Sequence, residues 1–143
     1  MVPMDHRIIS NLSKLFAFMW GGVRNHMKER KIDILAQQLR NNIDILDGTF
    51  EKCDLEVLSV GISDVDNYGW FSIIVEILKK NSEKLEDNIE IKVNAYDEDG
   101  IIYSKSAYIN AEKFLGYDTA IIYCHENNLI YRTNKIRIFL TKQ

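Results

Sequence analysis

The chain is predicted to fold as an antiparallel β-sandwich of six to seven strands with two helices in front of it, mainly β and α+β overall. Three observations carry this. Beyond Thr49 the sequence divides into short β-branched and aromatic segments separated by polar turns, as in stacked antiparallel sheets, and all seven tyrosines lie there. Ahead of it, apolar residues recur at helical spacing. Between Asn88 and Asn110 a strict alternation over Ile89 to Tyr96 is broken by Asp97-Glu98-Asp99-Gly100, and Ile101 to Ile109 returns with Ile, Tyr and Ser residues, as in a hairpin whose Asp-Gly suits the turn.

In chain order, residues 1–48 read as a helical segment and residues 49–143 as the sandwich domain. Ile8, Ile9, Leu12, Leu15, Phe16, Met19 and Val23 line one face of a first helix starting at Arg7. Gly21-Gly22 weakens any continuation, each glycine costing about 1 kcal/mol against alanine, so a kink is expected there. A second helix is expected from Asn25 to Asp47, with Ile32, Leu35, Leu39, Ile43 and Leu46 as its stripe and Gly48 as its C-terminal cap. The stripe is close to a heptad seam but covers only about two heptads, short of a coiled coil. It packs either on the rest of the chain or on a partner. Phe16, Phe18 and Trp20 favour the partner, because aromatic rings are hard to leave in water. Phe16, Trp20, Ile32, Leu35, Leu39, Ile43 and Leu46 are therefore the candidate interface for self-association or a protein partner.

The expected strands are Cys53 to Ile62, Trp70 to Lys79, the two arms of the hairpin, Thr119 to His125 and Lys135 to Thr141. Leu129 to Arg132 is a short extra strand or loop. In Trp70 to Lys79 both alternating sets are mostly apolar (Phe71, Ile73, Val75 and Ile77 against Ile74 and Leu78). That pattern predicts a central strand covered on each side.

Composition narrows the class. A chain of 143 residues with 46% hydrophobic and 27% charged residues is a globular domain with a real core. Net charge is −3, too mild to imply nucleic acid or membrane; the basic cluster Arg24, His26, Lys28, Arg30 and Lys31 reads as a solvated helix face. Abundant Ile, Asn and Lys read as bacterial codon bias. Leu15 to Val23 is too short to span a bilayer and has no small-residue cleavage site after it, so the expected location is cytoplasmic. Cys53 and Cys124 do not make a disulfide scaffold and read as separate thiols.

Asp118-Thr119-Ala120-Ile121-Ile122-Tyr123-Cys124, with Cys53 and Trp70 upstream, resembles the F-strand signature of immunoglobulin-like domains. The resemblance implies an immunoglobulin-like or fibronectin-III-like sandwich. In that family the two cysteines bridge the sheets and the tryptophan packs on them. Here the corner-tyrosine position holds Ile122, with Tyr123 one residue late and so on the other face of the strand. The helical first third has no counterpart in the family.

No motif assigns chemistry. Asp64, Asp66 and Gly69 begin like a calcium loop, but Tyr68 and Val75 stand where ligands are needed. Cys124 and His125 are neighbours in a strand and point to opposite faces. Zinc, nucleophile-elbow and phosphate-loop signatures are missing from the sequence. No catalytic, cofactor or metal residue is assigned. The leading expectation is a non-enzymatic interaction module acting through its N-terminal helices. The alternatives are a small enzyme or ligand-binding protein whose residues converge only in space, and a calcium-stabilised β domain. Tyr68, Trp70, Tyr96, Tyr103, Tyr108, Tyr117 and Tyr131 are further candidates for a binding face.

Overall fold

A computed structural model describes residues 31–63, 65–81 and 84–142. Its elements run α1 (31–40), β1 (Ile43–Ile45), α2 (Asp47–Glu51), β2 (Leu55–Ile62), β3 (Phe71–Lys79), β4 (Ile89–Tyr96), β5 (Ile101–Ile109), β6 (Tyr117–Cys124), α3 (Leu129–Arg132) and β7 (Lys135–Lys142). A 3-10 turn, Ala111–Lys113, links β5 to β6. The described residues are mostly β, in one sheet of four strands ordered β1-β7-β4-β5 and one of three ordered β2-β3-β6. Every pairing is antiparallel except β1 with β7.

Alternation places the core. On β3, Phe71, Ile73, Val75 and Ile77 are buried; on β4, Ile89, Ile91, Val93 and Ala95 are buried. With Ile136, Ile138 and Leu140 of β7 and Ala120, Ile122 and Cys124 of β6, residues from the inner faces of both sheets form one apolar cluster. The expected hairpin is present: Ile89 pairs with Ile109 at one end and Tyr96 with Ile101 at the other. Asp97 closes the turn, its Oδ1 accepting from the Asp99 and Gly100 amides at 2.8 and 3.1 Å, with Gly100 at φ +141°. At the facing edges, Lys105 lies opposite buried Val93 and Asp118 opposite buried Ile77. Charges turned inward at a sheet edge discourage a further strand from adding.

The first third departs from expectation. The helix expected to reach Asp47 ends at residue 40, and Ile43 to Ile45 form a strand alongside Ile136 to Ile138. Isoleucine is β-branched, and β7 offers the run an open edge with backbone partners, so tertiary pairing overrides a helical periodicity. Thr49 of α2 fixes the exit: its hydroxyl donates to the Leu46 carbonyl at 2.7 Å and accepts the Leu140 amide at 3.0 Å. Phe50 is fully buried beneath it. Leu129–Arg132 is a helical turn, neither strand nor loop. The kink expected at Gly21-Gly22 lies outside the described residues.

Candidate interaction face

Strand β3 supplies the informative departure. The opposite sheet covers its inner side, as expected. Its outer side is only partly covered, with Ile74 and Leu78 half-buried. The cross-strand register sets what surrounds them. Tyr117 lies opposite Leu78, Ile121 opposite Ile74, and Tyr123 opposite Ser72. These three β6 residues are 48%, 42% and 52% exposed. On the far edge, a bulge between Val57 and Ser59 interrupts the pairing, and Leu58 is 47% exposed. The outer face of the three-stranded sheet therefore sets Leu58, Ile74, Leu78, Tyr117, Ile121 and Tyr123 among the polar Glu56, Ser59, Ser72, Glu76 and Thr119.

Glu76 stands in its middle. Its Oε1 accepts the Ser59 hydroxyl at 2.5 Å, and its Oε2 accepts the Tyr117 hydroxyl, which itself contacts the Thr119 hydroxyl at 3.2 Å. The Ser59 and Tyr117 hydrogen bonds hold the carboxyl below its ordinary range, outweighing desolvation.

One end of this face runs into an aromatic corner. Trp70, just before β3, stacks on His125, just after β6, with centroids 4.7 Å apart and planes at 14°. Tyr123 meets His125 edge-on at 5.3 Å, and Tyr68 lies 5.3 Å from Trp70. The corner is built by its loops. Asp66 Oδ1 accepts the Tyr68 and Trp70 amides at 2.9 Å each. Trp70 Nε1 donates to Asn127 Oδ1 at 2.9 Å. Gly69, at φ +78°, presses on the Asn128 backbone so closely that a Cβ there would lie 2.9 Å from Asn128 Cα. Sequence reading names Trp70 as an aromatic candidate and sets His125 aside as a partner for Cys124; only the pairing of Phe71 with Cys124 brings the two rings together.

Of the residues expected to form a partner interface, Leu39 is buried in the core cluster, and Leu35 and Ile43 pack against it. Ile32 is buried and Leu46 sits exposed between β1 and α2. The five do not share one helix face, because Ile43 belongs to β1 and Leu46 follows it. Phe16 and Trp20 lie outside the described residues. Trp70, Tyr117 and Tyr68, named as aromatic candidates, do fall on the face or its corner. Tyr96 lies on the other sheet, between Lys135 and Arg137, whose charged groups sit 5.6 and 5.5 Å from its ring centroid. Tyr103 sends its hydroxyl to the Tyr123 carbonyl at 3.3 Å.

Other chemistry is sparse. Both cysteines are free. Leu55, two residues after Cys53, pairs with Lys79, whereas Cys124 pairs with Phe71 at the other end of β3. At ~3.3 Å per residue the two thiols are roughly 25 Å apart, far beyond disulfide reach. Burial pushes the Cys124 thiol up to about 12, so it stays protonated. A cleft of about 260 Å³ at the far end is lined by Lys52, Cys53, Asp54, Lys79 and Glu86, among others. Its Lys79 ammonium already donates to the Cys53 carbonyl at 3.0 Å and meets Asp54 Oδ2 at 3.4 Å. Among the described residues no three His, Cys, Asp or Glu side chains gather to hold a metal, and no helix is long and apolar enough to cross a membrane. Compared with protein-family models, curated proteins and solved structures, the chain matches none.

Proposed function

We propose that this chain is a non-enzymatic interaction module, built on an immunoglobulin-like sandwich, that binds a protein partner through the outer face of its three-stranded sheet. One observation carries the reading: among the described residues, a central strand with apolar residues on both sides has one side covered by the opposite sheet and the other left half-open between Leu58, Tyr117, Ile121 and Tyr123. Contiguous apolar surface of this kind, edged with polar groups, is typical of a docking site. The four-plus-three strand count supports the immunoglobulin-like assignment, while the strand orders β1-β7-β4-β5 and β2-β3-β6 depart from that family's. Against a strict match, the cysteines flank one sheet instead of bridging two, and β1 pairs in parallel. Two free thiols suit a reducing cytoplasm.

This reading moves the interface away from the helical stripe, because Leu39 is already committed to the core. The test is photocrosslinking in the native cell, with benzoylphenylalanine placed at position 121 and, as control, at position 139 on the opposite sheet. A discrete adduct from 121 and none from 139 is expected. Equal labelling at the two positions, or none at 121, would overturn the proposal.

A further inference from the structure

The interaction face specifies the chemistry of what covers it, and Glu76 is the reason. A carboxylate offers about four acceptor sites. Two are occupied by the Ser59 and Tyr117 hydroxyls. The other charged residue in the outward rows of β2, β3 and β6 is Glu56, opposite Leu78, and those rows contain no base. Basic side chains stand just past the strand ends, Lys80 beside Leu78 and Tyr117, and His125 in the aromatic corner, so the centre of the face is apolar and acidic. A purely aliphatic partner would strip water from Glu76 and leave its remaining acceptors empty, which is costly for a charged group. A second copy docked face to face about a two-fold axis through the middle of the face would bring Glu76 against Glu76, a like-charge contact. A donor that is itself cationic removes both penalties, because charge-assisted hydrogen bonds to carboxylate are the strong ones.

Resting on the interaction-module reading, we infer that the face takes a separate polypeptide surface of aliphatic side chains that places one lysine or arginine over Glu76. The aliphatic groups seat on Ile74, Leu78 and Ile121. The base fills the acceptor sites that Ser59 and Tyr117 leave open.

The experiment is selection of a phage-displayed helical miniprotein library, with one face randomised, against the full chain and three variants. Wild type is expected to retain binders that are lost on Ile121→Glu and carry Lys or Arg about three- to fivefold above the library frequency. Glu76→Gln is expected to return that frequency to the library level, and Glu76→Lys to enrich Asp and Glu instead. Circular dichroism confirms that each variant is folded, and Tyr123→Ser replaces Ile121→Glu if that one is not. Binders that need Ile121 but show no preference for bases overturn this inference and leave the module reading standing. Absence of Ile121-dependent binders overturns both. A concentration-dependent dimer abolished by Ile121→Glu, measured by light scattering, assigns the face to a second copy and overturns the inference. So does a crosslink from position 121 to residues 1–30 of the same chain.

Discussion

The outer faces of the two sheets use the same device in opposite surroundings. Each carries a glutamate that accepts hydroxyls from its neighbours, Glu76 in the middle of its sheet and Glu90 near one end. Glu76 is held by Ser59 and Tyr117. Glu90, on the four-stranded sheet, accepts Thr141 at 2.9 Å, and Ser106 and Tyr108 also bond to it. Beside Glu90 stand Lys92, Ser106 and Thr141 together with exposed Tyr108, and further along the same face the pairs are polar. Ser104 donates to Asn94 Oδ1 at 2.6 Å, and Arg137 pairs with Asp44 at 3.0 Å. Around Glu76 the neighbours are Ile74, Leu78, Tyr117 and Ile121. A hydroxyl-braced carboxylate by itself is ordinary sheet chemistry. It becomes informative where water is the wrong solvent for its surroundings, and Glu76, flanked on its own strand by Ile74 and Leu78 where Glu90 is followed by Lys92, meets that condition more fully.

The contrast can be broken at its largest by comparing the two sides of one strand. Ile122 is fully buried and its neighbour Ile121 is 42% exposed. Ile122→Ala is expected to cost about 3 kcal/mol by denaturant unfolding, against about 0.5 kcal/mol or less for Ile121→Ala. Similar losses at both positions would mean that the outer face is packed, not free. Gly69→Ala comes next: with φ at +78° and the Asn128 backbone in the way, it is expected to destabilise by about 2 kcal/mol. In a Trp20→Phe background, where Trp70 is the one tryptophan left, it should also weaken quenching of Trp70 fluorescence, which then reports the His125 stack on the three-stranded side.

Acid unfolding tests what the two faces share. Glu76 and Glu90 are both held below their ordinary range, chiefly by the Ser59 and Ser106 hydroxyls respectively. A carboxyl depressed in the folded state contributes stability above its unfolded value of 4.5, and that contribution is lost as pH falls through the folded value. Glu76→Gln and Glu90→Gln are each expected to lessen the fall in Tm on acidification. Should only one do so, the two braces are not equivalent. The smallest effect is chemical: under native conditions the Cys124 thiol, buried and shifted to about 12, is expected to react with a thiol reagent far more slowly than half-buried Cys53. Comparable rates would mean that the three-stranded sheet opens readily.

Much of this architecture was legible in the residues. Alternation located six of the seven strands, because the two-residue period of a strand writes its buried face directly into the chain. Asp97-Glu98-Asp99-Gly100 announced its turn for an equally local reason, a side chain bonding its own backbone. The candidate face was half legible. The apolar residues on both sides of Trp70 to Lys79 declared that two surfaces need covering, but not that one of them lacks a layer among the described residues. Its aromatic partners were named only as scattered tyrosines.

The sequence by itself determined the strand identities, their inward sides and the turn chemistry, all of which depend on neighbours within a few residues. Tertiary structure decided the rest. It turned Ile43 to Ile45 into a strand, because only the open edge of β7, more than ninety residues away, supplies the hydrogen bonds. It joined Trp70 to His125 and Glu76 to Tyr117, because register between β3 and β6 is a property of the assembled sheet. And it left Ile121 outward and Ile122 inward, since which side of a strand meets another sheet is settled by long-range burial and not by local preference.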